Sequence, residues 1–238
     1  FDWEWVSSRR SKNKTPAESE EKAPSSWKQW VKGGSNNLAA LRRKVARHHI
    51  STSEEQCPVL NSREDEILNA VYNFYSGRKH RFEGLAARIT SRVLGKGSAN
   101  YVEGWITSRA GDGGVDFVGR LDVGDGFSTA KLIVLGQAKC EKLTTPTGGN
   151  HIARTVARLR RGYIGAYVTT SFFSRPVQEE VIQDRFPLVL INGKRIAAEI
   201  HSMMVEGGTS DIDSFLTDLD MHYDGLLENR DPEEILNQ

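Results

Sequence analysis

An acid, an amide and an amine stand in one short stretch of this chain. They are Asp116, Gln137 and Lys139, within GDGGVDFVGRLDVGDGFSTAKLIVLGQAK at residues 111–139. Gln137 and Lys139 are two positions apart after the apolar run at 132–135, so on a strand both leave one face while Ala138 points to the other. Asp116 sits in an earlier apolar run that follows the glycines Gly111, Gly113 and Gly114. If the two runs pair as a hairpin, the three groups converge on one edge. A carboxylate, an amide oxygen and an ammonium there suit a hard cation and a polarised water. Gln-x-Lys alone reads better as a satisfied polar pair with Asp116 as its ionic partner.

The order DGGVD, QAK, a basic helix, GAYVTTSFFS and LVLING resembles the Mrr-type branch of the PD-(D/E)XK nucleases, in which glutamine replaces the usual glutamate of the E-x-K half-motif. The resemblance covers residues 82–205. More faintly, SSWKQWVKGG is similar to the region before the nuclease domain in modification-dependent restriction enzymes of this branch. The resemblance implies an α/β fold with a PD-(D/E)XK restriction-endonuclease-like core, a central mixed sheet flanked by helices, and helical extensions at both ends. It also implies that Asp116 anchors Mg²⁺ (with Mn²⁺ as a substitute), that Gln137 lends its side-chain oxygen and that the Ala138 carbonyl completes the protein ligands. Lys139 then orients the attacking water. A helix before the sheet often adds an acid in this superfamily, and Glu83 is the candidate, although complementing the helix dipole explains it as well. A glutamine is neutral, so the number of metals stays open.

The implied activity is Mg-dependent hydrolysis of double-stranded DNA, as the cleavage portion of a methylcytosine-directed restriction enzyme. Alternatives are a conventional sequence-specific restriction endonuclease and a non-cleaving DNA-binding module of the same fold. Cutting both strands calls for two sites, hence a homo-oligomer. The chain begins with Phe1, not Met, which suggests a processed product or a piece of a longer protein, with a recognition domain preceding it.

The elements that must position these residues are legible in the periodicity. Ser62 and Asp65 signal a helix start, followed by Ile67, Leu68, Val71, Phe74 and Tyr75 at helical spacing. A second helix carries Phe82, Leu85, Ala86, Ile89 and Val93 inward. A strand at 101–107, the Asp116 strand and the QAK strand then form a meander. Next, HIARTVARLRRGY reads as one crossover helix, with Ile152, Val156, Leu159 and Tyr163 along its apolar side. Lys142, Arg154, Arg158, Arg160 and Arg161 are the candidate DNA contacts; surface charge near the helix C-terminus accounts for Arg160 and Arg161 equally well. GAYVTTSFFS supplies a buried strand parallel to a neighbour, and Thr170 and Ser171 are strand-end caps with no adjacent base. Further on come a helix at 176–184, a strand LVLI, a turn at Asn192-Gly193, a helix at 195–205, a last helix at 209–227 and a frayed end. Glycines at 111–114 fit no phosphate-loop pattern, and Asp112 is a turn former.

The chain of 238 residues divides on this reading into a linker and helical extension (1–60), a nuclease domain (61–205) and an acidic helix and tail (206–238). After Val205 there are ten acids and one base, a net of −9, which against the whole-chain +1 leaves +10 on residues 1–205. A basic body suits a polyanion, and the acidic end a solvated face or a self-contact. Near the start, Trp3 and Trp5 alternate with acids, and basic residues 42–44 and 47 form one side of a helix at 38–49, where DNA contact and a solvated face are both open readings. His48 and His49 are adjacent and make no metal pair. Cys57 and Cys140 show no CxxC spacing, which fits a reducing cytoplasm without zinc or disulfides. No apolar run approaches the ~20 residues that cross a bilayer.

Overall fold

Side-chain caps set the helix starts. Thr52 and Glu55 form a reciprocal capping box on α1 (Ser53–Gln56), and the Ser62 hydroxyl accepts the Asp65 amide at 3.2 Å to open α2 (Arg63–Tyr75). The computed structural model describes residues 50–97, 99–107 and 114–238, His151 by its backbone alone. The readings made above for residues 1–49, for Gly111 and Gly113 and for Asp112 lie outside the described residues. Helix α3 (Phe82–Leu94) follows, then strands β1 (Ala99–Thr107), β2 (Phe117–Val123) and β3 (Ala130–Lys139). After them come α4 (Gly149–Val156), β4 (Tyr163–Thr169), α5 (Arg175–Gln183), β5 (Leu188–Ile191), α6 (Gly193–Glu206), α7 (Ile212–Met221) and β6 (Leu227–Glu228).

The sheet order is β5-β4-β3-β2-β1-β6. β1, β2 and β3 form the antiparallel meander, while β4 runs parallel to β3, and β5 to β4, as crossover connections require. One face carries α2, α3, α6 and α7, whose Ile67, Val71, Leu85, Ile89, Ile200 and Leu216 share one core with Phe117, Val134 and Val168 of the sheet. Each such side chain withdrawn from water contributes about 1.5–3 kcal/mol before its ordering cost. The other face is covered in two patches. Ile152, Val177 and Val181 from α4 and α5 pack on Tyr167, and Ile235 packs on Trp105, Val118, Ile133 and Leu135.

Four points differ from the sequence reading, three because a tertiary partner overrides local pattern and one, Asn192, because its side chain caps the following helix. Helix α4 stops at Val156, so Arg158, Arg160 and Arg161 lie in the turn leading to β4, not on a helix. Asn192 is no turn residue but the cap of α6, its side chain accepting the Arg195 amide at 2.9 Å. The last helix covers only Ile212–Met221. The 3₁₀ turn Tyr223–Leu226 follows it, and then β6 runs parallel to β1, with Ile106 opposite Leu227. The end is not frayed: Pro232–Asn237 forms a 3₁₀ segment with Ile235 wholly buried, and Arg120 Nη1 donates to its carbonyl at 2.8 Å.

Candidate active site at the end of the β2–β3 pair

Asp116 is the residue immediately before β2, and its side chain takes over where the ladder ends. Its amide donates to the Gly136 carbonyl at 2.8 Å. Its Oδ2 accepts from Ala138 N at 2.6 Å and from Gln137 Nε2 at 2.8 Å. The N–H and C=O of one strand residue point to the same side, and those of Gly136 face β2. Those of Ala138 therefore face the same way, past the end of β2. Asp116, the Gln137 amide and the Ala138 carbonyl thus share one edge. In this arrangement the Gln137 nitrogen is turned to Asp116; a half-turn of the amide exchanges it for Oε1.

Gln137 and Lys139 lie opposite Tyr167 and Thr169 on the face that bears α4 and α5. Lys139 Nζ is 3.2 Å from Glu141 Oε1, with only 29% and 16% of the two side chains exposed. The other Glu141 oxygen accepts the Thr147 hydroxyl at 2.7 Å, and Thr170 Oγ1 accepts the Glu141 amide at 2.8 Å while donating to its carbonyl at 2.7 Å. Sequence reasoning passed over Glu141. The signal was there: 137, 139 and 141 continue one alternation beyond the strand. Thr170 and Ser171 act as the caps expected, Ser171 Oγ donating to the carbonyls of Leu143 and Thr145. Burial pushes the neighbouring Cys140 thiol up to about 11, so it stays protonated and unreactive at neutral pH. Burial, then the Glu141 and Asp116 carboxylates, raise the Tyr167 hydroxyl above its ordinary range; it is buried with no hydrogen-bond partner among the described residues.

Glu83 lies in the first turn of α3, on the opposite face but at the same end of the sheet. That turn packs on Ile106 and Tyr223, and Glu83 Oε2 accepts the Tyr223 hydroxyl at 3.1 Å. Among the described residues no three His, Cys, Asp or Glu side chains gather as a metal cluster. Lys142 is exposed in the connector after β3, and Arg154, Arg158, Arg160 and Arg161 are exposed around the end of α4. Three of these arginines, all but Arg161, line a cleft of about 880 Å³ whose floor includes Val115 and Leu135, next to Asp116 and Gln137. No helix among the described residues is long and apolar enough to cross a membrane.

A family model described as restriction endonuclease matches residues 76–200, just over half of the chain. Among solved structures, the MspJI restriction endonuclease in complex with a 27-mer oligonucleotide is similar, with a TM-score of 0.79 and 41% identity, over 99% of this chain and 53% of that one. The DNA modification-dependent restriction endonuclease AspBHI shares the fold, with a TM-score of 0.58 and 22% identity over 94% and 52% of the two chains. The chain therefore spans about half the length of these relatives. No curated protein matches it.

Proposed function

The chain belongs to the restriction endonuclease family, and from that premise we propose that it hydrolyses DNA phosphodiester bonds at the edge formed by Asp116, Gln137, Ala138 and Lys139. The observation that carries the reading is the meeting of Asp116 Oδ2 with the Gln137 amide and the Ala138 N–H, one residue before Lys139 on β3. These donors fit a hard divalent cation: a carboxylate, an amide that presents Oε1 on a half-turn, and a main-chain carbonyl directed to the same edge. Few carboxylates suit Mg²⁺, which keeps most of its waters, and Mn²⁺ is a fitting substitute. The ion would offset charge on the phosphoryl group and lower the pKa of a water. Lys139 supplies hydrogen bonds and positive charge to the attacking water and to the oxygens on which negative charge develops. Glu141 holds the Lys139 side chain in place, and Glu83 is the candidate for a further acid at this end of the sheet.

The partner is double-stranded DNA, with Lys142, Arg154, Arg158, Arg160 and Arg161 as phosphate contacts. The finer reading is a cleavage portion of a modification-dependent enzyme, with methylcytosine read by a domain outside this chain and two copies cutting the two strands. It is supported by the sequence resemblance and by the half of the MspJI structure that this chain does not match. A conventional sequence-specific enzyme would instead read its site with loops of this chain and cut unmethylated plasmid at fixed positions.

The test is nicking and linearisation of supercoiled plasmid, methylated or not, with Mg²⁺ or with EDTA. Asp116→Ala and Lys139→Ala should each abolish cleavage while DNA affinity stays within about tenfold, less than ~1.4 kcal/mol of binding. Full cleavage by either variant removes the assignment, and DNA binding without any metal-dependent cleavage by the parent chain leaves the non-cleaving module.

A further inference from the structure

Resting on the nuclease reading above, we propose that the cleft beside Asp116 seats the DNA strand that flanks the scissile phosphate, and that residues 229–232 form its second wall. These residues lie outside the segment 76–200 that the family model matches. They follow β6, whose pairing with β1 brings them over the sheet. The cleft floor is Val115, Leu135 and Tyr163, and it leads directly to the catalytic edge, since Val115 precedes Asp116 and Leu135 stands two positions before Gln137.

The two walls differ in a way that suits a strand. On one, Arg154 and Arg158 have no ion pair among the described residues, and both are exposed. Arg160, also on this wall, meets Glu233 at 3.6 Å, a loose and well-exposed pair. On the other wall, Arg230 is fixed. Its guanidinium lies 4.6 Å from the Trp105 ring centroid and 3.0 Å from each of Glu228 and Glu234. Those two acids do not line the cleft; Asp231 is the acid that does. A planar guanidinium already held by a ring and two carboxylates loses little freedom on meeting a phosphate. Beside it, Asn229 is exposed and offers amide donors. At about 880 Å³ the cleft is at the upper end of small-ligand pockets, room for the nucleotides of one strand between a wall of arginines and one that offers Arg230 and Asn229 beside Asp231, over an apolar floor that accepts sugar and base faces.

The experiment is fluorescence anisotropy of a labelled duplex with the whole chain in EDTA, over a range of salt, beside plasmid cleavage in Mg²⁺. Arg154→Gln with Arg158→Gln should lower affinity and flatten the plot of log K against log salt by about 0.9 per cation removed. Asn229→Asp should weaken binding and Asn229→Lys strengthen it, the latter steepening the slope by about 0.9. Asn229 is exposed, so these two variants test the second wall without disturbing the core. If the parent chain binds and cuts DNA while both Asn229 variants keep its affinity and slope, the second wall is overturned and the nuclease reading stands. If the parent chain neither binds nor cuts, the reading itself falls, and this assignment with it.

Discussion

The Lys139 amine lies 3.2 Å from Glu141 Oε1, and Glu141 is itself held by Thr147 through its other oxygen and by Thr170 through its main chain. Lysine is a flexible four-carbon stem carrying a point charge, so a fixed acid beside it decides where that charge spends its time. The Thr147 and Thr169 hydroxyls are also hydrogen-bonded, 3.0 Å apart, which ties the arrangement to β4. The pair is partly shielded from water, so solvent screening reduces the interaction without erasing it.

Glu141 should therefore act as a positioning residue for Lys139. Glu141→Gln keeps an acceptor for Thr147 but drops the charge, and is expected to lower single-turnover cleavage about 10–100-fold, the usual scale for losing a group that orients a catalytic one. KM for DNA and the melting temperature should change little, and Glu141→Asp should recover part of the rate. Cleavage rates of the three proteins at saturating DNA check this. Parent-like turnover in Glu141→Gln would show that Lys139 needs no such support.

Gly136 should tolerate no side chain. A Cβ there would stand 2.0 Å from the Phe117 ring, which lies across the strand on the residue next to Asp116. Gly136→Ala must push Phe117 aside, and overpacking of this kind costs about 1–3 kcal/mol. The displaced ring also shifts Asp116, so cleavage should fall further than the lost stability accounts for. Thermal melts and cleavage assays well below the melting point separate the two effects.

Acid sensitivity should centre in part on Glu199. Burial alone would raise its carboxyl, but Lys96, Arg195 and Arg92, at 2.7, 2.9 and 3.3 Å, outweigh that and hold it below the ordinary 4.5. A depressed folded-state value means that the unfolded chain takes up the proton first. The stabilisation is thus complete above about pH 4.5 and is lost as pH falls from there through the lower folded value. Glu199→Gln should lower stability at pH 7 by about 1–3 kcal/mol, as removing a partner from a hydrogen-bonded charge does. Its stability should then decline less between pH 5 and pH 3 than the parent's, by roughly the amount the ionised group supplied. Denaturant melts across that range check the sign.

The meander and the meeting of Asp116 with Gln137 were legible because strand alternation is a local property. A two-residue repeat assigns faces, and an apolar run with a following turn assigns the hairpin. Limits appeared where position depends on a remote partner. Ile152, Val156, Leu159 and Tyr163 keep helical spacing, yet α4 ends at Val156, because Leu159 and Tyr163 pack on the patch around Ile133 and Leu135 from the turn and β4. β6 has two residues and no period of its own; β1 defines it. Glu141 carries no motif, and its meaning comes from Lys139, Thr147 and Thr170 together. The Gln137 amide was legible as a neighbour of Asp116, but which of its ends faces the carboxylate was not.

The C-terminal end supplies the last prediction. Its composition, with acids at Asp231, Glu233 and Glu234, reads as a solvated tail, yet Ile235 is fully buried against Trp105 and Val118. The cause sits 115 positions upstream: Arg120, only 6% exposed, donates to the carbonyls of Ile235 and Gln238 and pairs with Asp122 at 2.8 Å. A buried guanidinium needs its acceptors, and the tail provides two of them. Ile235→Ala should therefore cost about 2–5 kcal/mol, as a buried isoleucine does. Deleting residues 232–238 should cost more, because it also leaves Arg120 short of acceptors. Arg120→Met together with the deletion should recover part of the loss, since the charge is then gone along with its partners. Denaturant melts of the three variants decide it: a deletion that leaves stability unchanged would mean that the tail is solvated after all, as its composition alone suggests.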